Sequence, residues 1–166
     1  MKISIVVAVA ENNVIGNKNK LPWYIPADLK HFKEVTMGHH VVFGQTTYKS
    51  IGRNLPGRHT IVLSNNKNLK IEGAYVANSP QEAIDHANRQ GEKELMICGG
   101  AMIYKTFLPL ADKIYLTKIK AKIDGDVTFP EIGSDSWKMV FKVSHTKDIK
   151  NPYDYEFIVL DRKNKV

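Results

Sequence analysis

The sequence is poor in cysteine: Cys98 is the only one among 166 residues. A single cysteine excludes an internal disulfide framework and a zinc site built from cysteine pairs. Because Cys98 ends the apolar run Leu95-Met96-Ile97-Cys98, we interpret it as a small buried side chain. Burial among apolar neighbours raises the pKa of a thiol and makes it unreactive. A catalytic thiol is the less favoured alternative.

Long hydrophobic runs are also missing. No apolar stretch approaches the roughly 18–20 residues that a helix needs to span a bilayer. The start, residues 1–10, resembles the charged and apolar regions of a signal peptide, but Glu11-Asn12-Asn13 follows without a small-residue cleavage pattern. A buried first strand is the better interpretation, and we expect a cytoplasmic protein that does not bind membranes. The length predicts one domain over residues 1–166.

Acidic residues are outnumbered, with 17 Asp and Glu against 24 Lys and Arg, which gives a net charge of +7. Such a charge suits nucleic acids, acidic surfaces or small anionic ligands. The lysines are scattered, without an aromatic-spaced basic stripe or a helix-turn-helix pattern. We therefore expect no nucleic-acid partner, and keep a basic nucleic-acid-binding domain as an alternative.

Several motifs of known chemistry are absent from the sequence. It contains no Rossmann G-x-G-x-x-G fingerprint, no Walker A loop and no G-x-S-x-G nucleophile elbow. The histidine pair His39-His40 has no carboxylate or cysteine ligands at metal-site spacing, so we expect no metal site.

Short apolar, β-branched runs recur between turn signals and predict strands, several of them apolar throughout, as in strands covered on both faces. These runs are residues 3–10, 41–43, 60–64, 74–77, 94–98, 113–119, 138–145 and 155–160. Helical segments lie between them. Residues 26–37 begin with proline and stop at a glycine, residues 79–87 begin with a capping serine, and residues 101–108 follow a Gly-Gly pair.

This alternation predicts an α/β fold with a central, mostly parallel β-sheet flanked by four helices. The fourth helix starts after the strand that ends at Phe43. The last two strands have no helix between them. They should form a C-terminal antiparallel hairpin that turns at residues 147–152.

Four segments carry the residues that chemistry could use. The loop of residues 11–23 is long and polar, as lids and binding loops are, and it contains Trp23. Asp28 lies on one helix face with Phe32 and Val35, so it either complements the helix dipole or pairs with a ligand donor in an apolar pocket. The residues alone leave these two open.

The pair Gly99-Gly100 joins a buried strand to a helix start. There a ligand can approach the protein backbone closely and an anion can bind. This is a weak signal by itself. Residues 43–58 lead from a strand into a hydroxyl-rich helix start and end at Arg58. Hydroxyls and amides suit phosphate, and the planar fork of Arg58 suits a carboxylate. Ordinary capping and a surface arginine are the alternatives.

Taken together, the order and spacing of these motifs resemble the dihydrofolate reductase family, of the bacterial chromosomal type, over essentially the whole chain. The motifs are Val14-Ile15-Gly16, Leu21-Pro22-Trp23, Pro26-Ala27-Asp28-Leu29 with Phe32, Gly44-x-x-Thr47, Ser50-Ile51-Gly52, Leu55-Pro56-Gly57-Arg58, Gly99-Gly100 with Tyr104, Ile114-Tyr115-Leu116-Thr117 and Gly125-Asp126-x-x-Phe129-Pro130. The resemblance implies a monomer that reduces 7,8-dihydrofolate to tetrahydrofolate with NADPH, serves one-carbon metabolism and is a target of antifolates. The substrate could carry a polyglutamate tail.

The same resemblance implies roles for single residues. Asp28, supported by Thr117, would hold the pterin, Trp23 would order a water near Asp28, and Leu21 would stand at the tip of a closing loop that Asp126 steadies. The substrate pocket would consist of Val6, Val7, Asp28, Leu29, Phe32, Ile51, Arg53, Leu55, Arg58 and Thr117, with Arg58 on the glutamate carboxylate. The cofactor would contact Ala8, Ile15, Gly16, Asn19, Lys20, Gly44, Gln45, Thr46, Thr47, Leu63, Ser64, Asn65, Cys98, Gly99, Gly100, Ala101, Met102, Ile103, Tyr104 and Thr106. The family also implies a cis Gly99-Gly100 peptide.

Two departures concern the cofactor. Gln45 and Asn65 stand where relatives often have arginine and serine near the adenosine 2′-phosphate, which weakens the expected grip on NADPH relative to NADH. Two other functions are kept as alternatives: a reductase of the same fold acting on a riboflavin precursor, and a non-catalytic folate or nucleotide binder.

Overall fold

Ten strands and four helices follow one another along residues 1–163, the part of the chain that the computed structural model describes. The strands are β1 (Lys2–Ala10), β2 (Val14–Gly16), β3 (His40–Gly44), β4 (His59–Leu63), β5 (Ala74–Ala77), β6 (Glu94–Ile97), β7 (Lys113–Ile119), β8 (Val127–Thr128), β9 (Trp137–His145) and β10 (Tyr155–Arg162). The helices are α1 (Pro26–Thr36), α2 (Gln45–Ile51), α3 (Pro80–Arg89) and α4 (Ala101–Phe107), and a 3₁₀ turn, Leu108–Leu110, follows α4.

Eight of the strands form one sheet in the order β5-β4-β3-β6-β1-β7-β10-β9. The first six strands of this order pair in parallel, whereas β10 is antiparallel to both β7 and β9. The predicted fold class is therefore confirmed, including the antiparallel hairpin at the carboxyl end. In that hairpin β10 lies inside the sheet and β9 forms its edge.

The predicted loop of residues 11–23 contains a strand that the sequence interpretation missed. Strand β2 pairs antiparallel with β8, and the Phe129 amide donates to the Asn13 carbonyl at 2.8 Å. Both strands are too short to show a period, and their partners stand more than 100 residues apart in the chain. The small two-stranded sheet therefore could not be seen from local pattern.

The helix boundaries follow from particular residues. Pro26 is the first residue of α1. Gly38, just after the helix ends, has a φ of +82° and changes the direction of the chain. The hydroxyl of Ser79 accepts a hydrogen bond from the Glu82 amide at 3.0 Å, which caps α3 as predicted. At the end of α2, Gly52 adopts a left-handed φ of 80°, a conformation that favours glycine.

The core lies on both faces of the sheet because successive strand residues point in opposite directions. On one face Ile5, Val7 and Ile97 pack with Phe107 of α4. On the other face Val6, Phe43 and other strand residues form a smaller cluster that partly buried residues of α1 and α2 cover. The smaller cluster leaves room at this face for a cleft.

Candidate active site

The predicted substrate residues meet on the sheet face that α1 covers. Val6, Phe43 and Cys98 are buried there in one cluster, and Phe32 and Leu55 pack against it. Leu29 and Ile51 stand at its rim with 48% and 37% of their surface exposed. We take this apolar face, between α1 and the sheet, as the candidate cleft.

Four predicted side chains lie in the core cluster on the opposite face of the sheet: Val7, Ile15, Ile103 and Tyr104. Val7 belongs to this cluster because it follows Val6 directly on β1. At Val6 the main chain is held by Tyr104, whose hydroxyl donates to the Val6 carbonyl at 2.8 Å.

Asp28 lies in the first turn of α1, and its carboxyl is withdrawn from solvent. Burial raises the pKa of this carboxyl above its ordinary value, although a hydrogen bond with the Thr117 side chain and the nearby His31 act in the opposite direction. Thr117 is itself buried on β7. A carboxylate in such a place gains free energy when a ligand offers it hydrogen-bond donors.

A cavity of about 60 Å³ opens beside this carboxyl. Its lining combines the end of the first loop with the start of α1: Leu21, Trp23, Tyr24, Ile25, Asp28 and Leu29. The indole Nε1 of Trp23 is buried and makes no hydrogen bond to another described residue. A buried donor of this kind suits a bound water or a ligand acceptor.

Arg58 follows the Pro56-Gly57 turn and reaches the end of α1. Its Nε donates to the Pro56 carbonyl at 2.9 Å, and one terminal nitrogen donates to the Thr36 hydroxyl at 3.3 Å. These two contacts orient the guanidinium group. Its other N–H donors take no part in them. Arg53 is exposed on the loop between α2 and this turn.

The Gly99-Gly100 peptide is cis, as the resemblance predicted. The Gly44 amide donates to the Gly99 carbonyl at 2.8 Å, which ties the end of β3 to this turn. A Cβ atom at Gly100 would stand 2.9 Å from the Thr47 hydroxyl oxygen, a contact too short for a side chain. The two glycines and Thr47 therefore form a backbone cradle at the carboxyl ends of β3 and β6.

The other predicted cofactor residues surround this cradle. Cys98 is buried as predicted, and burial raises the pKa of its thiol, which keeps it protonated at neutral pH. At the end of β4, the Ser64 hydroxyl donates to Gln45 Oε1 at 2.7 Å and accepts from the Asn66 amide at 3.1 Å. The more exposed members are Thr46, Asn65, Thr106 and Met102, the last with 73% of its surface accessible, while Ala8, Leu63 and Ala101 are half-buried.

The first loop is tied down at two places beside the cleft. The Lys18 amide donates to both carboxylate oxygens of Asp126, at 3.2 and 3.3 Å, and the Asp126 amide donates to the Gly16 carbonyl. On the other side, the Ser50 hydroxyl of α2 donates to the Asn19 carbonyl at 2.9 Å. Asn17 and Lys20 bridge to each other, with Lys20 exposed and Ile15 buried behind them.

Two residues that the sequence interpretation missed shape this site. The side-chain oxygen of Asn151 accepts from the Ala27 amide at 3.0 Å, so the β9–β10 loop caps the helix that carries Asp28. His31 stacks on Phe157 one turn after Asp28. The spacing of His31 from Asp28 is visible in the sequence, but nothing local signals a cap that comes from 124 residues away.

A larger cavity, of about 330 Å³, lies outside the cleft and is lined by Lys120, Ser144, His145, Thr146, Asp154 and Glu156. None of these is a predicted site residue. Within residues 1–163, no three His, Cys, Asp or Glu side chains are grouped so as to hold a metal ion. No helix in the described part of the chain has the length and apolar character needed to cross a membrane.

The chain is similar to known proteins over nearly its whole length. A family model described as dihydrofolate reductase matches residues 2–162. Dihydrofolate reductase of Bacillus subtilis (strain 168) is 41% identical over 162 residues, covering 98% of this chain and 95% of that protein. Dihydrofolate reductase type 3 of Salmonella typhimurium is 45% identical over 163 residues, covering 98% and 99%. A solved structure of dihydrofolate reductase from Enterococcus faecalis, complexed with NADP(H) and RAB-propyl, superposes with a TM-score of 0.92 at 36% identity, covering 98% of this chain and 97% of that one.

Proposed function

The chain belongs to the dihydrofolate reductase family, and from this premise we propose which of its residues carry out the reaction. The protein is an NADPH-dependent oxidoreductase that reduces 7,8-dihydrofolate to 5,6,7,8-tetrahydrofolate by hydride transfer from the nicotinamide to the pterin ring. This activity supports one-carbon metabolism and nucleotide synthesis. The observation that carries our assignment of residues is the half-buried Asp28 carboxyl, which lines a cavity beside an otherwise apolar wall.

Asp28 holds the pterin in this proposal. Its carboxylate accepts hydrogen bonds from the ring amide and the exocyclic amine, and the Thr117 hydroxyl supports it from β7. Burial raises the pKa of Asp28, so the site holds a proton to a higher pH than an exposed carboxyl would. The carboxylate thereby favours the protonated, more electrophilic form of the substrate.

Trp23 and the apolar wall place the ring and its proton. The unpartnered Nε1 of Trp23 holds a water near Asp28, and that water brings the proton to the ring nitrogen. Phe32, Leu29, Ile51 and Leu55 enclose the pterin and the aminobenzoyl group, with Val6 beneath them. This enclosure excludes bulk water from the reacting atoms.

Arg58 recognises the acidic tail of the substrate. Its backbone and Thr36 contacts fix the guanidinium, which can then meet the glutamate α-carboxylate with two parallel hydrogen bonds. Arg53, exposed on the same side of the turn, would meet further glutamates of a polyglutamylated substrate. A net charge of +7 attracts both anionic ligands.

The residues around the glycine pair fit a dinucleotide. A Cβ atom at Gly100 would collide with the Thr47 hydroxyl, so glycine lets these two segments approach closely at the place where we put the pyrophosphate. Gly44, Ala101 and Met102 border the same cradle. Ala8, Ile15, Cys98 and Tyr104 border the nicotinamide, which supplies the hydride when NADPH is bound.

The adenosine end is held by hydroxyl and amide groups rather than by an arginine. Ser64 already donates to Gln45, so both polar side chains form one unit at the end of β4. Thr46, Asn65 and Leu63 complete this end. NADPH is the cofactor, and we propose a weaker preference over NADH than an arginine at position 45 would give.

The loop of residues 13–21 closes over the nicotinamide in this proposal. Asp126 holds it through the Lys18 amide, and Ser50 holds it through the Asn19 carbonyl. Leu21 at its tip has 53% of its surface exposed and faces the cleft through the cavity beside Asp28. Asn19, Lys20 and Gly16 place the loop against the cofactor.

We further propose that the protein is a cytoplasmic monomer formed by one reductase domain over residues 1–166. Residues 164–166 of this domain lie outside the described residues. The dihydrofolate tail contacts assigned to Arg58 argue against a riboflavin precursor as substrate, because that molecule has no aminobenzoyl-glutamate group.

The experiment follows NADPH absorbance after the purified protein is mixed with dihydrofolate, with NADH and a no-folate sample as controls. Folate-dependent oxidation of NADPH is the expected result. Binding of both ligands without oxidation would contradict the assigned catalytic residues and favour a non-catalytic binder. Failure to bind either ligand would contradict the whole assignment of the cleft.

A further inference from the structure

His31 follows Asp28 by three residues on α1, so the two side chains leave the helix on neighbouring positions of one face. We propose that His31 is a positioning residue for the reduction: its imidazole, held beside the Asp28 carboxylate by Phe157, controls the ionisation of that carboxylate electrostatically. The inference rests on the role proposed above for Asp28.

The sheet brings the two side chains together. The Thr117 side chain of β7 acts on the Asp28 carboxyl, while His31 stacks on Phe157 of β10 with ring centroids 4.0 Å apart and an angle of 17° between the planes. Thr117 and Phe157 are direct cross-strand partners in the β7–β10 pairing. Side chains of direct partners lie about 4.5–5.5 Å apart at Cβ. One turn of α1 therefore places the Asp28 carboxyl near Thr117 and the His31 ring against Phe157, on two adjacent strands.

Phe157 is itself fixed by other rings. His145 of β9 meets it edge-on at 5.4 Å, and Tyr155 lies tilted against it at 5.3 Å. His145 also stacks on Tyr155 at 5.1 Å. These rings of β9 and β10 hold the Phe157 ring in place. The His31 imidazole therefore stacks on a ring with a defined orientation.

The charges around this pair come from several elements. The charges of both Asp28 and Glu34 of α1 act on His31. The charge of Asp28 also acts on two tyrosines, Tyr104 of α4 and Tyr155 of β10. Asp148 of the β9–β10 loop acts on Tyr155, and His145 stands behind Phe157. Of these groups, only His31 and His145 can become cations, and His31 alone acts on the Asp28 carboxyl.

The direction of the coupling follows from the signs of the charges. Burial lowers the pKa of His31, and the Asp28 carboxylate raises it again. Conversely, burial raises the pKa of Asp28, and a protonated His31 acts against that rise. A proton on the His31 imidazole therefore lowers the proton affinity of the Asp28 carboxyl. Removing the protonated imidazole increases that affinity.

The first test measures the coupling without any substrate. We would record the NMR titration of the imidazole signals in wild type and in Asp28→Asn, with the His31 signal identified by its loss in His31→Phe. The titration midpoint of His31 is expected to fall in Asp28→Asn, because the carboxylate that favours the charged ring is gone. An unchanged His31 midpoint would overturn the proposal.

The second test measures whether the coupling between His31 and Asp28 affects catalysis. The pH profile of the hydride-transfer rate is compared between wild type, His31→Phe and His145→Phe, each checked for an unchanged melting temperature. Each variant removes one histidine whose ring contacts Phe157 and keeps an aromatic ring in its place. The midpoint is expected to move to higher pH by about half a unit in His31→Phe and to stay in place in His145→Phe.

The outcomes separate this proposal from the function on which it rests. Equal shifts in both variants, or no shift in either, would overturn the role of His31 even where the NMR coupling is present. The role of Asp28 is judged separately, by the rate of Asp28→Asn. Near-wild-type turnover of that variant would contradict the proposed function and not the coupling that the NMR titration measures.

Discussion

Glu92→Gln should destabilise the protein without changing its active site. The Glu92 carboxylate, with 6% of its side chain exposed, accepts from His39 Nδ1 at 2.7 Å and from His40 Nδ1 at 2.6 Å. It also accepts from the backbone amides of His40, Lys93 and Glu94 at 2.8–3.1 Å. It thereby joins the starts of β3 and β6, at the ends of these strands opposite to the cleft.

The magnitude follows from the pKa of this carboxyl. Burial opposes ionisation, but the hydrogen bonds from His39, His40 and the backbone outweigh it and hold the pKa at about 2, against an ordinary value of 4.5. This difference corresponds to about 3 kcal/mol of stability in favour of the charged form. Since His39 is 29% exposed, water screens part of the interaction, and we expect a loss of about 2 kcal/mol.

The pH dependence has a definite sign. The pKa of Glu92 is depressed in the folded state, so its contribution is fully present above pH 4.5 and is lost as the pH falls toward 2. The neutral amide of the glutamine variant has no such dependence. The difference in unfolding free energy between the two proteins should therefore be largest near neutral pH and shrink in acid.

The assay is urea unfolding at pH 7 and at several values below 4.5, with the exposed Glu131→Gln as control. A loss of about 2 kcal/mol corresponds to a melting temperature lower by about 4–8 °C in a chain of this size. The reductase activity at 25 °C should be unchanged. A variant within about 0.5 kcal/mol of wild type at pH 7, or a difference that persists at the lowest pH, would refute this account of Glu92.

Three further variants address the cleft. Asp28→Asn should slow hydride transfer about 100-fold or more, most strongly at neutral and higher pH, and stopped-flow rates near wild type there would count against the assigned role. Its unfolding free energy in urea at pH 7 should rise, because burial disfavours the charged carboxyl that it replaces. Arg58→Leu should weaken dihydrofolate binding about 10- to 100-fold and leave NADPH binding alone, as followed by fluorescence titration, and equal losses for both ligands would contradict it. Gln45→Arg should raise the ratio of NADPH to NADH activity about tenfold, so an unchanged ratio would mean that position 45 does not meet the 2′-phosphate.

Local sequence patterns were sufficient for the secondary structure of the main sheet. Pro26 and Gly38 bound α1, Ser79 caps α3, and the apolar runs become strands within a few residues of their predicted ends. These features depend on backbone propensity and on hydrophobic period, which are properties of adjacent residues. The motif order was sufficient for the family and, through it, for the cis peptide at Gly99-Gly100.

Contacts between distant residues were decided only by the tertiary structure. The pairing of β2 with β8, the cap that Asn151 provides to α1 and the place of β10 inside the sheet all join segments about 35 to 125 residues apart. The side-chain direction of Val7 also belongs here, because the sequence predicted its strand but not which face the cleft would occupy.

The Asp28 site shows where the boundary falls. The sequence alone placed an acid on an apolar helix face and left two interpretations open, a helix-dipole partner or a ligand partner. The fold decides the environment of that acid, because burial, Thr117 of β7 and His31, which is stacked on Phe157 of β10, together set how readily it holds a proton. Residue types and local structure were determined by the sequence itself, whereas burial and electrostatic coupling arise only when separate segments pack together.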